Sequence, residues 1–216
     1  GESYEINYKY PCDFPNDPIC TQMTKYHILS PVIEQKFSKG GTELKRIKTQ
    51  YESFSNSDNG HLLFYPSRIF SSLNGAKLEE RLCYNDCDKW GNTRSIVKDH
   101  ADKMTYLWSY NSTYPIAEIR GATYTEVSSW LGNSFLDKIA LKNMLNESDI
   151  IELKHKLAPY PVIVTLYLYE PGIGIKEVLS PNGNKTFYKY DSFYRLSGLY
   201  NNNSNPIKLY DYNYMK

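Results

Sequence analysis

A turn-and-strand unit that recurs near the end of the chain constrains the fold more than any other feature. Residues 181–184 tolerate the positive φ of hairpin turns, and the stretch after them is rich in strand-forming residues. Tyr190-Asp191 then leads into a second turn, and Arg195-Leu196 begins another strand. After the Asn-rich segment 201–206 and one more strand, Tyr210-Asp211 repeats Tyr190-Asp191. A repeat of this kind predicts an array of β-hairpins rather than a compact enzyme fold.

This order of residues resembles the YD-repeat, or RHS-repeat, family. The usual pattern of that family is Tyr-Asp, two further residues, Gly-Arg-Leu, and a turn that leads to another Tyr-x-Tyr-Asp. Residues 190–196 match the pattern, except that Tyr194 stands where glycine is expected. A tyrosine does not easily adopt the positive φ that glycine allows, so the pattern alone does not fix the geometry of the turn at Tyr194.

Altered copies of the pattern occur earlier in the chain. Residues 81–92 resemble a Tyr-Asp-x-x-Gly-Asn motif with inserted or changed residues, which ends on Gly91-Asn92. Residues 104–124 resemble the C-terminal part of large RHS-like proteins from Bacteroidetes-type gut bacteria, and residues 23–32 fit the region before it. The resemblance spans nearly the whole chain. It implies a β-hairpin array, an extracytoplasmic location (secreted or on the cell surface) and no catalytic residues, because the repeat itself carries none.

The rest of the pattern is mainly β, with one helical interruption. Residues 43–54 alternate apolar and charged side chains, which predicts a half-buried strand. Thr123 and Glu126 have the spacing of a helical capping box, and Pro159 ends the helical stretch that follows. We therefore predict a mainly β fold: an antiparallel hairpin or meander array of YD-type repeats with a small three-helix insert.

We expect one continuous domain with four parts. The prolines near the start predict an irregular arm over residues 1–22. A β-meander with a degenerate YD repeat covers residues 23–122, the helical insert residues 123–158, and a strand with the C-terminal YD repeats residues 159–216. The nearly continuous apolar stretch 161–169 predicts a strand covered on both faces, with the helices as one cover.

Composition excludes several partners. The formal net charge of +1 gives no long-range attraction to nucleic acid or to an anionic membrane. No apolar run is long enough for a membrane span, and no signal peptide is recognisable. The first residue, Gly1, looks like the remainder of a cleaved tag, so we expect the chain to start after a removed signal or within a longer protein. The 21 tyrosines suit thin, partly solvated sheets, and they equally suit aromatic platforms for sugars.

The four cysteines form two close pairs. The Pro-rich loop between Cys12 and Cys20 predicts a disulfide, which would stabilise the fold by about 2–3 kcal/mol in the loop-entropy model. Free thiols and a zinc site are the alternatives, although neither spacing is the usual Cys-x2-Cys. Cys83 and Cys87 flank an expected turn and could pair or merely pack. Close cysteine pairs fit an oxidising, extracytoplasmic setting.

No motif predicts catalysis, a cofactor or a metal. Asp86, Asp88 and Asn92 crowd one turn, where oxygen ligands for calcium are one interpretation and side chains that bond their own backbone are the other. We therefore predict a structural, non-catalytic segment of an RHS-like protein that acts as scaffold or shell, with the rest of its own polypeptide as partner. The alternative is a carbohydrate-binding or adhesion module that uses exposed aromatic residues on surface glycans.

Overall fold

The computed structural model describes residues 3–56 and 60–213, and the chain divides into two compact units, Gly1–Asp102 and Lys103–Lys216. Within each unit the strands follow one another in chain order and pair antiparallel with their sequence neighbours. The predicted fold class, a mainly β antiparallel meander with a small helical insert, is confirmed. The division into four segments stays a prediction. The boundary between the two compact units lies within the segment 23–122.

The first unit is a meander with one short helix. Its strands are β1 (Tyr4–Lys9), β2 (Glu34–Lys39), β3 (Thr42–Ser55), β4 (Leu62–Leu73), β5 (Glu79–Cys87) and β6 (Thr93–Lys98). A 3-10 turn over Pro11–Asp13 and helix α1 (Pro18–Lys25) lie between β1 and β2 in sequence.

The prediction of an irregular arm over residues 1–22 is wrong for most of its described length. β1 pairs with β2 along its whole length, from Tyr4 to Lys9. Asp17 caps α1, because its carboxylate accepts a hydrogen bond from the Cys20 N–H at 2.9 Å. Pro18 then occupies the first turn of that helix, where its missing N–H is not needed. The prolines therefore begin a helix instead of preventing one.

The second unit continues the meander and carries the helical insert. Its strands are β7 (Asp102–Ser109, all but the first residue), β8 (Tyr114–Arg120), β9 (Ile163–Glu170), β10 (Gly174–Leu179), β11 (Lys185–Tyr190), β12 (Leu196–Tyr200) and β13 (Pro206–Leu209). The helices are α2 (Tyr124–Leu131), α3 (Asn133–Ala140) and α4 (Glu147–Leu157).

The capping box predicted for the helical insert is present. The Glu126 N–H donates to the Thr123 hydroxyl, and the Glu126 carboxylate accepts from the Thr123 N–H at 2.7 Å. The carboxylate also accepts from the Thr123 hydroxyl at 2.7 Å, and the bonds from the Thr123 N–H and hydroxyl, with the ion pair to Lys103, lower the pKa of Glu126 to about 2. The helix start that this motif predicts is thus fixed by its own side chains.

The core of the second unit lies between the helices and strands β7 to β9. Its largest fully buried side chains are aliphatic: Ile116, Ile119, Val127, Leu153, Leu157 and Leu166. The expected double cover of the apolar stretch before Glu170 is wrong, because Ile163 is 57% exposed while Leu166 and Leu168 are buried. β9 therefore alternates between a covered and a more open face, as a meander strand with helices on one side does.

Candidate functional site: a recurrent turn

The predicted YD motif forms a five-residue turn between β11 and β12. The Asp191 N–H donates to the Arg195 carbonyl at 2.8 Å, and the Tyr194 N–H donates to the Asp191 carbonyl at 3.0 Å. The Asp191 Oδ1 atom accepts from the N–H groups of Phe193 at 2.8 Å and Arg195 at 3.0 Å. One carboxylate oxygen thus satisfies two backbone donors that the tight turn leaves without carbonyl partners.

The arginine of the motif binds the second carboxylate oxygen of Asp191. The Arg195 Nε atom donates to Asp191 Oδ2 at 2.7 Å, and a second guanidinium nitrogen lies 2.6 Å from that oxygen. The hydrogen bond from Arg195 is the main reason why the pKa of Asp191 is lowered. Leu196 then begins β12 directly opposite Tyr190 on β11. The structure therefore brings Tyr190, Asp191, Arg195 and Leu196 together as one structural unit.

Tyr194 adopts the conformation that the family pattern reserves for glycine. Its φ is +59°, in the left-handed region, and its residue surface is 68% exposed. The tyrosine therefore keeps the turn conformation that the copy with Gly91 also has. Left-handed φ costs an ordinary residue about 1–2 kcal/mol, and the side-chain bonds of Asp191 and Arg195 hold the turn in spite of that cost.

The same turn stands in the first unit, at Asp88. The Asp88 N–H donates to the Asn92 carbonyl at 2.9 Å, and the Gly91 N–H donates to the Asp88 carbonyl at 3.0 Å. Asp88 Oδ1 accepts from the N–H groups of Trp90 at 2.9 Å and Asn92 at 2.8 Å. The Asn92 side-chain amide donates to Asp88 Oδ2 at 2.9 Å, in the place that Arg195 has in the other turn.

This geometry corrects the alignment of the earlier repeat. The aspartate of the motif is Asp88, with Cys87 before it where the other copy has tyrosine, so no residue is inserted between Asp88 and Gly91-Asn92. Asp86 instead pairs with Arg94 at 2.8 Å. Of the two interpretations of this crowded turn, side chains that bond their own backbone is the one that the hydrogen bonds confirm. The spacing Asp-x-x-Gly-Asn in the sequence was the available signal.

A third copy of the turn lies between β12 and β13. The Asn201 N–H donates to the Asn205 carbonyl at 3.0 Å, and the Ser204 N–H donates to the Asn201 carbonyl at 3.0 Å. Asn201 Oδ1 accepts from the N–H groups of Asn203 and Asn205, each at 3.0 Å. Ser204 has a φ of +61°. An asparagine can therefore replace the aspartate, since only one side-chain oxygen receives the backbone donors.

A fourth copy, between β10 and β11, keeps the backbone pattern with serine in first place. The Ser180 N–H donates to the Asn184 carbonyl at 2.8 Å, and the Gly183 N–H donates to the Ser180 carbonyl at 2.9 Å. Gly183 has a φ of +86°. Sequence reasoning identified this segment as a turn but not as a member of the same set, because Ser180 breaks the Tyr-Asp pattern.

In two of the four copies, the residue before the turn packs its hairpin against the sheet. The Tyr190 hydroxyl donates to the Ile175 carbonyl at 2.8 Å, and its ring lies over Gly174 on the neighbouring strand. A Cβ at Gly174 would lie 2.5 Å from that hydroxyl oxygen. At the equivalent place before the fourth copy, Leu179 is buried. The tyrosine of the motif is thus a packing residue.

The second predicted Tyr-Asp pair follows β13. The Tyr210 N–H donates to the Ser197 carbonyl at 3.0 Å, and the Lys208 Nζ atom lies 4.8 Å from the Tyr210 ring centroid. Asp211 is exposed. Two residues later in the sequence, the Tyr212 ring lies 4.4 Å from the Arg195 guanidinium and its hydroxyl donates to the Leu196 carbonyl at 2.9 Å.

Exposed aromatic rings surround the turn at Asp191. Phe193 is 75% exposed, and its ring centroid lies 5.1 Å from the Arg195 guanidinium. A groove of about 580 Å³ runs beside the turn, lined among others by Tyr190, Tyr194 and Lys176. Aromatic faces beside charged groups are what a sugar-binding surface requires. Trp90, in the third position of the Asp88 turn, is likewise exposed.

The cysteines do not form the expected bridge. All four are free thiols, with Cys12 exposed and Cys20 buried on α1. Burial raises the pKa of the Cys20 thiol to about 11, with a further contribution from nearby Asp17. Cys83 and Cys87 do not flank a turn, since both lie in β5. An extended strand separates residues four apart by about 13 Å, which is beyond the reach of a disulfide.

Two general searches of the described residues gave no site. Within residues 3–56 and 60–213, no three His, Cys, Asp or Glu side chains are grouped so that they could hold a metal ion. No helix in that part of the chain combines the length and apolarity that crossing a membrane requires.

Comparison with known proteins gave a likeness in structure but no match to a family or to a curated protein. No protein-family model matches the chain, and no curated protein matches it. A crystal structure of TcdB2-TccC3-Cdc42 is similar, with a TM-score of 0.41 and 10% sequence identity over 86% of this chain. The chain spans only 10% of the length of the chain that it matches.

Proposed function

We propose that this chain is a structural, non-catalytic segment of a secreted or cell-surface protein of the YD-repeat type, and that its hairpins form part of a scaffold or shell. The observation that carries the proposal is the recurrence of one five-residue turn, at Ser180, Asp191 and Asn201 and again at Asp88, with the same backbone bonds each time. A hairpin that repeats in this way is a unit built to stack on its neighbours.

The chemistry of the motif supports a structural role. The carboxylates of Asp88 and Asp191 are engaged by backbone N–H groups of their own turns, and Tyr190 bonds a neighbouring strand. Side chains that are held by hydrogen bonds within a turn are poorly placed to bind or to activate a substrate. These contacts support a structural role for the repeat rather than a catalytic one.

The last strand supports stacking on further repeats. Ile207 is 57% and Leu209 63% exposed, and in the described residues β13 pairs with β12 alone. Apolar side chains on an exposed strand edge favour the addition of another strand. Tyr210-Asp211 follows β13 just as Tyr190-Asp191 ends and follows β11, so the partner that we propose is a further repeat of the same polypeptide.

The test is to add one repeat that the chain itself supplies. Residues 192–213 are appended directly after Asp211, so that a copy of β12 can pair with β13. We expect amide hydrogen exchange of Ile207 and Leu209 to become slower by an order of magnitude or more, because the added strand covers their N–H groups, whereas Lys208 and Tyr210 face β12. The matched control is a Gly/Ser extension of equal length. Equal exchange in the two proteins would overturn stacking at this edge.

A screen for turnover tests the absence of catalysis. The purified chain is assayed against broad sets of ester, peptide, phosphate and glycoside substrates. We expect background rates throughout. Turnover that one point substitution in the groove beside Tyr194 abolishes would contradict a purely structural role.

A second candidate, a carbohydrate-binding or adhesion module, is favoured by the exposed rings of Phe193 and Tyr194 beside the groove. A glycan array tests it with wild type, Phe193→Ala and Tyr194→Ala. Selective binding that both substitutions remove would establish this function in place of the scaffold alone. The matched control is Tyr26→Ala, which changes a ring that is 56% exposed in the first unit.

A further inference from the structure

The first strand is an exposed edge with two chemically different faces. All six residues of β1 are exposed, and among the described residues β1 pairs with β2 alone. One face carries Tyr4, Ile6 and Tyr8, which are 72%, 50% and 46% exposed. Glu5, Asn7 and Lys9 lie on the other face, since side chains alternate along a strand. The apolar and the polar side chains of β1 thus lie on opposite faces of the strand.

The hydrogen bonds to β2 determine which backbone groups point outward. The Gly40 N–H donates to the Ser3 carbonyl at 2.9 Å, and the Ile33 N–H donates to the Lys9 carbonyl at 2.8 Å. In an antiparallel pair, the residues that bond one neighbour alternate with those that face the other way. The odd-numbered residues of β1 therefore bond β2. The N–H and C=O groups of Tyr4, Ile6 and Tyr8 point away from the sheet.

This edge is complementary to itself. When two copies of β1 run antiparallel with Asn7 opposite Asn7, Glu5 of each copy faces Lys9 of the other. Ile6 then faces Tyr8, and the outward backbone groups of both residues form hydrogen-bonded pairs. The Glu5 and Lys9 side chains fall in the non-hydrogen-bonded pairs, where antiparallel strands come closest.

Other registers lose this match. A shift by one residue places the outward groups of one copy opposite residues of the other whose N–H and C=O groups bond β2, because the bonding pattern has a period of two. A shift by two residues places Asn7 opposite Glu5 or Lys9, and the other charged residue then has no oppositely charged residue facing it. A shift by four places Glu5 opposite Glu5 or Lys9 opposite Lys9, and like charges in that position are destabilising. The charges therefore select the Asn7-centred register.

We propose that two copies of this chain associate through β1 in the Asn7-centred register and form one antiparallel ladder across the contact. Protected edges usually carry proline or a bulge, and the register of β1 with β2 has no bulge between Tyr4 and Lys9. β1 has no proline. Lys9 lies 3.4 Å from Glu34 on β2, and its side chain is 55% exposed, so it remains accessible to Glu5 of the other copy. This contact does not depend on the scaffold function proposed above.

Charge reversal tests the register. Sedimentation velocity is measured on the whole chain over a range from micromolar to near-millimolar concentration, for wild type, Glu5→Lys and Lys9→Glu. We expect a concentration-dependent dimer for wild type and a dissociation constant at least about tenfold higher for each variant alone, because each places like charges opposite each other twice. An equimolar mixture of the two variants restores opposite charges at all four places. We expect it to dimerise as wild type does.

Blocking the edge tests the ladder. Ile6→Pro removes an outward N–H and leaves the bonds from odd-numbered residues to β2 in place, so we expect a monomer. Ile6→Thr keeps that N–H and is the matched control, expected to remain a dimer, and circular dichroism confirms that each variant folds. A wild type that stays monomeric at every concentration would overturn the proposal. So would a dimer that survives Ile6→Pro, or a variant mixture that stays monomeric. Because the appended repeat acts on β13, failure here leaves the scaffold proposal standing and the reverse also holds.

Discussion

Replacing Asp88 by alanine tests whether the side chain of the first turn residue holds the repeat together. Asp88 is only 9% exposed and accepts three hydrogen bonds, from the N–H groups of Trp90 and Asn92 and from the Asn92 amide. Alanine leaves the two backbone donors and the amide without this acceptor. Losing a partner costs each buried group about 1–3 kcal/mol, and partial access of water to the turn reduces that cost. We expect Asp88→Ala to lower the free energy of unfolding by about 2–3 kcal/mol.

Asparagine at the same position separates the geometry of the turn from its charge. In the turn at Asn201, the amide oxygen accepts from two backbone N–H groups at 3.0 Å each, with no carboxylate present. We therefore expect Asp88→Asn to cost less than about 1 kcal/mol, because the oxygen that receives the backbone donors remains. Asp86→Ala is the matched control, since that side chain makes an ion pair with Arg94 in which both partners are about 30% exposed.

The assay is urea unfolding followed by tryptophan fluorescence, with circular dichroism as a second probe. Unchanged slopes with shifted midpoints would attribute the loss to stability of the folded state. Equal losses for Asp88→Ala and Asp88→Asn would show that charge and not the accepting oxygen matters. A loss below about 0.5 kcal/mol for Asp88→Ala would refute the reasoning, because surface substitutions without structural consequence fall in that range.

Three further predictions concern other parts of the chain. Gly174→Ala is expected to lower the free energy of unfolding by about 1–2 kcal/mol in the same urea assay, since the new methyl group would collide with the Tyr190 hydroxyl. Gly183→Ala is the control, because Gly183 has positive φ but open space around it, so its loss reports backbone strain without a collision. Glu126, with a folded pKa of about 2 against an ordinary 4.5, stabilises the fold above pH 4.5, and this contribution is lost as pH falls toward 2; Glu126→Gln is expected to weaken the acid dependence of the melting temperature. Exposed Cys12 is expected to react with a thiol reagent at pH 8 much faster than buried Cys20, and unfolding without reductant should release four reactive thiols; fewer than four would restore the disulfide hypothesis.

The parts of the fold that the sequence predicted depend on local chemistry. Thr123 and Glu126 specify a helix start within four residues of each other, and the structure has that helix. Gly40 and Gly41 both have positive φ in the turn between β2 and β3, which is the conformation that two consecutive glycines between strands favour. Signals of this kind need no knowledge of distant residues, which is why they could be recognised.

The parts that were missed had local signals that neighbouring residues obscured. Tyr4–Lys9 alternates apolar and polar residues as a strand does, but the prolines that follow it predicted an irregular arm. Cys83 and Cys87 appeared to flank a turn because the Asp and Asn residues between them predicted one there. The turn instead begins after Cys87, at Asp88. The helix at Pro18 was missed because its prolines were weighed as breakers, although the capping Asp17 stands directly before them.

The repeated turn also explains how its sequence can diverge so far. Three of its four copies have an aspartate or asparagine oxygen that binds two backbone N–H groups, and these copies have glycine, tyrosine and serine at the position of positive φ. The copy at Ser180 has the same backbone closure, and there the position of positive φ is glycine. Side-chain closure and glycine are thus two separate means of stabilising one conformation, and a copy that has the first can lose the second. Tyr194 is the extreme case, with both the Asp191 oxygen and the Arg195 guanidinium compensating for a strained backbone. A search for such repeats should therefore require Asp or Asn at the first position and Asn or Arg four places later, and should leave the glycine position free.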